Sequence, residues 1–170
     1  MPEVANIWIA GCAVRHQEAG PEYLRPVNNH RTGAFQSWPI EQGFHNGFNS
    51  IYRIAPGRDV WFHFAIPTPV SLAGIRPLYL DHTVILWSVA EGVVIQCVAT
   101  IHRGAGRFVL SDRVQTGEHL DGPDSENVYP LKPRLRMDFG LQLSILARAV
   151  EQEGEVRFVG AGASFWDTAE

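Results

Sequence analysis

The sequence predicts an all-β protein, a jelly-roll-like antiparallel β-sandwich of about eight strands, with a closed β-barrel as the alternative. Three observations lead to this prediction. Apolar residues recur in short runs, several of which alternate with polar residues at the period of two that a half-buried strand requires. Glycine (16 residues) and proline (11 residues) are frequent and stand between these runs as turn residues. Long runs with helical periodicity are nearly absent.

The first half of the chain carries three of the predicted strands. Residues 6–14 (NIWIAGCAV) are apolar on both faces, which is typical of a strand buried on both sides. Residues 47–55 form the next strand, and Pro56-Gly57 marks the turn into the third strand, residues 58–66 (RDVWFHFAI). Residues 18–41 contain three prolines and little periodicity, so we expect a long loop there.

Two short turns then separate three further strands. Residues 78–90 and 93–103 flank Glu91-Gly92, and a Gly-Ala-Gly turn at 104–106 leads into residues 107–114. Short turns of this kind close β-hairpins. The pattern therefore predicts an antiparallel meander.

The last third of the chain contains a second loop and two more strands. Residues 115–133 are rich in turn residues and are expected to be irregular. Residues 135–150 fit a strand better than a helix. The period of two places three polar side chains on one face of this strand: Gln142, Ser144 and Arg148. Residues 155–166 close the chain as a strand whose glycines allow a bulge.

Length and charge indicate one soluble domain that binds neither nucleic acid nor membrane. The 170 residues match a single domain, and a net charge of −4 argues against binding of a phosphate backbone. No apolar stretch is long enough to span a bilayer, so we expect a cytoplasmic protein. Cys12 and Cys97 lie in apolar runs and are predicted to be buried thiols.

The histidines do not predict a metal site. None of the seven is spaced as His-x-His or His-x-x-x-His, and we expect neither a metal nor another cofactor. Asp81 and His82 are neighbours in sequence, and the strand period directs them to opposite faces. They are therefore not expected to act together.

The candidate site lies on the strand at 58–66. Four apolar residues alternate onto the face that must be the core face: Val60, Phe62, Phe64 and Ile66. Asp59, Trp61 and His63 take the other face, where an aromatic floor and polar groups could hold a sugar or a small molecule. We expect His45 and Tyr52 to contribute to this site. The simpler alternative is that His63 makes a structural hydrogen bond to the backbone.

Three stretches together resemble one known family: IWIAGCAV, DVWFHFAIPTPV and VRFVGAGASF. The family is a group of small, mostly bacterial proteins known as a domain of unknown function, with a W-F-H-x-x-I-P-T-P core. The positions that match this core are Trp61, Phe62, His63, Ile66, Pro67, Thr68 and Pro69. The resemblance covers most of the predicted strands but neither of the two predicted loops. It implies a compact β-sandwich and no established activity.

Three functional hypotheses result. The leading one is a β-sandwich that binds a small molecule or a glycan and carries no recognisable catalytic motif. The second is a metal-independent enzyme, such as a cyclase, isomerase or lyase, acting on an apolar metabolite with His63 and Asp59 as acid and base. The third is a structural component that assembles with itself, because some strands, such as 93–101, are apolar on both faces.

Overall fold

The computed structural model describes residues 5–18, 20–25, 27, 38–40, 43–46, 49–68, 77–103, 106–120, 122–123, 127–137 and 140–167. These residues form two antiparallel sheets. The larger contains nine strands: β1 (Ala5–Ala10), β3 (Leu24–Arg25), β4 (Trp38–Ile40), β5 (Gly43–Asn46), β6 (Asn49–Ile54), β8 (Leu78–Val89), β11 (Glu118–His119), β12 (Val128–Met137) and β14 (Gly154–Trp166). The smaller contains five: β2 (Arg15–His16), β7 (Asp59–Ile66), β9 (Val93–Arg103), β10 (Gly106–Ser111) and β13 (Leu141–Ala149).

The predicted β-sandwich is confirmed, and the sheets do not close into a barrel. In the nine-stranded sheet the order is β11-β8-β14-β6-β5-β4, with β1 beside β14, β12 beside β8 and β3 beside β6. The five-stranded sheet has the order β10-β9-β13-β7-β2. One short 3₁₀ turn, Gly11–Ala13, follows β1. Among the described residues, no helix is long and apolar enough to cross a membrane.

All eight predicted strands are present, and the described part of the chain contains six more. Five of these, β2 to β5 and β11, have two to four residues, which is too short for a period to be visible. The sixth, β12, starts inside the predicted loop 115–133 and contains Pro130 and Pro133. Among the described strands it pairs only with β8 and so lies at an edge, where proline is tolerated.

The first strand is buried on one face only, contrary to the expectation for residues 6–14. Ile7 and Ile9 pack against the core, whereas Asn6 and Trp8 are exposed. Cys12 and Cys97 are both free thiols, and each is half-buried rather than buried.

The predicted meander is half correct. β9 and β10 form the expected hairpin, but β8 and β9 lie in different sheets and do not pair. Each finds a long antiparallel partner near the C-terminus instead, β14 for β8 and β13 for β9. The turn at Glu91-Gly92 therefore carries the chain from one sheet to the other. Turn residues indicate where a chain reverses, and not which sheet it joins next.

Three connections between the sheets lie at one end of the sandwich: Pro56-Gly57, Glu91-Gly92 and residues 150–153. Backbone hydrogen bonds join them, from Gly57 N–H to Ala149 O (2.8 Å) and from Val150 N–H to Gly92 O (2.9 Å). Both turn glycines have positive φ, 68° for Gly57 and 83° for Gly92, which L-residues rarely adopt. Glycine at these two positions therefore allows the chain to pass from one sheet to the other at this end.

The core lies between the inner faces of the two sheets. The ring of Phe62 on β7 packs at 4.9 Å from that of Phe158 on β14 and at 4.9 Å from that of Tyr52 on β6. Phe64 meets Phe158 edge-on at 5.6 Å. Val60 and Ile66 are buried with them, so the predicted core face of β7 is confirmed. The opposite face of β7 consequently points outward.

Candidate functional site

The outward face of β7 carries Asp59, Trp61 and His63, as the period of two predicted. β7 lies between β13 and β2. Its register with β13 places His63 opposite Ser144, Trp61 opposite Leu146 and Asp59 opposite Arg148. Cross-strand partners share a face, so the side chains of β13 complete the site.

His63 is the centre of a hydrogen-bond network. Its Nε2–H donates to Oε1 of Gln17 at 3.3 Å. Its Nδ1 accepts from the Ser144 hydroxyl at 2.8 Å and lies 3.1 Å from Nε2 of Gln142. Gln142 Nε2 also donates to Ser144 Oγ at 3.4 Å. These contacts fit the tautomer in which Nε2 carries a proton and Nδ1 accepts.

Trp61 extends this network as an aromatic surface. The planes of Trp61 and His63 are within 6° of parallel, and their ring centroids are 6.5 Å apart. The Trp61 backbone is held by residues that follow β2. Its N–H donates to Glu18 Oε2 at 2.8 Å, and its carbonyl accepts from Gln17 N–H at 2.9 Å. We call this surface, consisting of Asp59, Trp61, His63, Gln142, Ser144 and Gln17, the His63 face.

Two of the predicted site residues lie elsewhere. Tyr52 is 1% exposed on the inner face of β6, so it cannot reach a ligand on the outer face of β7. Burial raises the pKa of its phenol, although a hydrogen bond with Ser50 partly opposes this shift. His45 lies on β5, in the nine-stranded sheet, where its register partner is Ser50. The expectation that Tyr52 assists His63 is therefore wrong, because the core separates them.

The predicted acid–base pair does not form. Asp59 lies four residues before His63 on the strand, with Trp61 between them, and its Oδ1 is 3.6 Å from Nε of Arg148. Ser144 is 1% exposed, so a substrate does not reach its Oγ in spite of the short bond to His63. The face can therefore donate and accept hydrogen bonds around an aromatic surface. It does not present an assembled nucleophile or acid–base pair.

Sequence reasoning missed Gln142, Ser144 and Gln17 as members of the site. The signal for two of them was present, because the period of two had placed Gln142 and Ser144 on one face of their strand. What the sequence did not show was that this strand pairs with β7. Gln17 follows a two-residue strand and gave no signal.

A second polar cluster contradicts the expectation for Asp81 and His82. Their side chains hydrogen-bond, with His82 Nδ1 2.8 Å from Asp81 Oδ2. The pairing of β8 with β14 shifts register at this point, and the bulge turns both residues outward. Asp81 Oδ1 also accepts from Arg134 Nε at 2.6 Å. Burial raises the pKa of Asp81, but the hydrogen bonds from His82 and Arg134 outweigh it and lower the pKa overall.

The described residues contain no group of three or more His, Cys, Asp or Glu side chains that could hold a metal ion. Comparison with known proteins found no matching family model, no similar curated protein and no similar solved structure. The resemblance carried by the Trp61–Pro69 motif therefore stays a prediction.

Proposed function

We propose that this chain is a binding protein and that a glycan or another small polar molecule binds on the His63 face. The observation that supports this most directly is the pair of parallel, partly exposed rings of Trp61 and His63 beside the amides of Gln17 and Gln142. A sugar has C–H groups on one side of its ring and hydroxyls around its edge. An indole with neighbouring amides offers the complementary groups.

The test is binding to an array of immobilised neutral and acidic glycans, followed by calorimetric titration of the best oligosaccharide. We expect Trp61→Ala to weaken binding about tenfold, the amount that loss of one stacking surface can account for. His63→Gln keeps a carbonyl that can accept from Ser144 and should weaken binding with little loss of stability. Val114→Ala, on the exposed segment after β10, is the matched control and should bind as the original chain does.

Thermal unfolding of each variant separates binding from folding. A shift of less than about 4 °C, corresponding to about 1 kcal/mol for a chain of this size, means the fold is intact. If Trp61→Ala and His63→Gln remain folded and bind every glycan as the original chain does, the proposal is wrong. If both unfold, the face is structural and the proposal also fails.

A second candidate function, self-assembly, is favoured by the edge of the five-stranded sheet. β10 is the outermost strand there, and it exposes Phe108 (43%) and Val109 (53%), whose side chains alternate between its two faces. An apolar edge strand invites pairing with another strand. Light scattering should then show a dimer that dissociates in Val109→Lys, because a charge at an edge opposes pairing. A monomer at all concentrations would reject this candidate.

A further inference from the structure

The outer face of the nine-stranded sheet carries a second aromatic surface, on the side of the molecule opposite the His63 face. β1, β14 and β8 lie next to one another there. Two rows of register partners cross the three strands: Trp8, Gly162 and Val84 in one, and Asn6, Ser164 and His82 in the next. Partners in a row share a face. The register therefore places Trp8 diagonally across from His82.

The indole of Trp8 occupies the space above Gly162. A Cβ on Gly162 would stand 2.8 Å from Cδ2 and 2.9 Å from Cε3 of that ring, closer than side chains approach each other. Val84, the next residue in the row, is only 2% exposed although it is on the outer face. One side of the ring therefore lies against β14. Since Trp8 is still 44% exposed, its other side faces solvent.

A hydrogen-bonded cluster of Asp81, His82 and Arg134 lies on the same face as Trp8, and the register places His82 across β14 from it. Asp81 is bound by His82 Nδ1 at 2.8 Å and by Arg134 Nε at 2.6 Å. The Arg134 guanidinium also stacks on Trp166, 4.1 Å from the ring centroid. Asp81 holds His82 through Nδ1, which leaves Nε2 as the ring nitrogen directed away from the carboxylate. Asn6 offers an exposed amide in the same row as His82.

The charges on this face select among ligand classes. A phosphate or sulfate would need a cation with few other partners, and Arg134 is already engaged by Asp81 and Trp166. A purely apolar ligand would remove water from His82 and Asn6 without replacing their hydrogen bonds. A neutral sugar ring needs no cation and can replace the hydrogen bonds to water. Its C–H face can cover the indole, and its hydroxyls can bond to the amide and the imidazole.

We propose that Trp8, Asn6 and His82 form a second binding site, which takes one neutral pyranose unit of a glycan. The site is independent of the His63 face, since the two surfaces lie on different sheets. A chain with two such surfaces can hold two segments of one polysaccharide or two separate strands of it. Linking the sites in this way raises apparent affinity without any new contact.

The test uses affinity electrophoresis in gels that contain soluble neutral polysaccharides: β-glucan, xylan, mannan or starch. The full-length chain is compared with Trp8→Ala, Trp61→Ala and the double variant. Trp61→Ala isolates the Trp8 site, and the loss of binding on adding Trp8→Ala should be about tenfold. Trp8→Phe, which keeps a flat ring above Gly162, should restore part of the binding. Asn6→Ala and His82→Gln should each weaken it by a smaller factor, and Val150→Ala, a distant exposed apolar residue, serves as the control.

Four outcomes decide the matter. Weaker retardation of folded Trp8→Ala, with partial recovery in Trp8→Phe, supports the second site. Equal retardation of the original chain and folded Trp8→Ala, Asn6→Ala and His82→Gln overturns it, whatever Trp61→Ala does. Absence of retardation in all four polysaccharides also overturns it for neutral glycans. Loss of retardation in Trp61→Ala alone would support the His63 face while rejecting the Trp8 site.

Discussion

The buried hydroxyl of Tyr52 makes the stability of the fold depend on pH. Its ring packs against Phe62 at 4.9 Å and meets His16 edge-on at 5.6 Å, and its phenol is buried between the sheets. Burial disfavours the phenolate, so the pKa of Tyr52 lies above its ordinary value of 10.0. The unfolded chain can release this proton more readily than the folded protein can.

We therefore expect Tyr52 to reduce stability in alkali. A raised pKa contributes stability that is fully present below pH 10.0 and is lost as the pH rises through the folded-state pKa. Tyr52→Phe should lower the free energy of unfolding by about 1 kcal/mol at pH 8, because a buried hydrogen bond is lost. Above pH of about 10 this difference should shrink or reverse. Urea titrations at both pH values measure it, and equal alkaline slopes would contradict the buried placement.

Asp81 makes stability depend on pH in the opposite direction to Tyr52. Burial raises its pKa, but the hydrogen bonds from His82 and Arg134 lower it below the ordinary value of 3.8. The stability it provides is therefore present above pH 3.8 and is lost as the pH falls through the folded-state pKa. Asp81→Asn should reduce the free energy of unfolding by about 1–2 kcal/mol at pH 7, since charge-assisted bonds become neutral ones.

The matched control for Asp81 is Asp59→Asn. Asp59 is exposed and pairs with Arg148 at 3.6 Å, and such surface pairs contribute little. Denaturant titrations at pH 7 and below pH of about 4 should show the Asp81 effect declining in acid while the Asp59 effect stays small. An Asp81 effect that is independent of pH would show that its ionised form is not what holds the bulge.

At the scale of elements, local patterns predicted strands well and their partners poorly. The alternation of β7 identified the core face and the outward face correctly, because burial on one side imposes the period directly. The partner of His63 could not be predicted in the same way. Ser144 lies 81 residues further along the chain and reaches His63 only because β13 pairs with β7. The bulge that joins Asp81 to His82 is likewise a property of pairing, and not of β8 alone.

The connection after β1 approaches β14 closely. The 3₁₀ turn at Gly11 lies against the backbone of β14, and a Cβ on Gly11 would stand 2.1 Å from the carbonyl oxygen of Phe158. Backbone cannot move aside as a side chain can. Gly11→Ala should therefore lower the free energy of unfolding by about 3 kcal/mol, at the upper end of the overpacking range.

Gly140→Ala provides the comparison for Gly11. An added Cβ at Gly140 has nothing within 4 Å, and the residue does not have a positive φ. This variant should stay within about 0.5 kcal/mol of the original chain. Chemical denaturation of both variants checks the expectation. A Gly11 variant as stable as the Gly140 variant would show that the turn does not contact β14 so closely.

At the scale of the whole molecule, the two sheets share one core and carry separate outer faces. Composition and turn frequency predicted this architecture, because they depend on how much apolar surface must be buried. They could not predict which turns cross between the sheets, as those at Pro56-Gly57, Glu91-Gly92 and residues 150–153 do. The two outer surfaces arise from that arrangement, since the Trp61 strand and the Trp8 strand end up facing away from each other.

A shared core means that the two sheets should unfold together. Phe158 on β14 contacts Phe62 and Phe64, which belong to the other sheet. Phe158→Ala should lower the free energy of unfolding by about 3–5 kcal/mol through lost contacts and the cavity left behind. Far-ultraviolet circular dichroism and tryptophan fluorescence should still report one coincident transition with an unchanged denaturant slope. Two separate transitions would show that each sheet is stabilised independently, so the outer face of either sheet could lose its structure while the other remained folded.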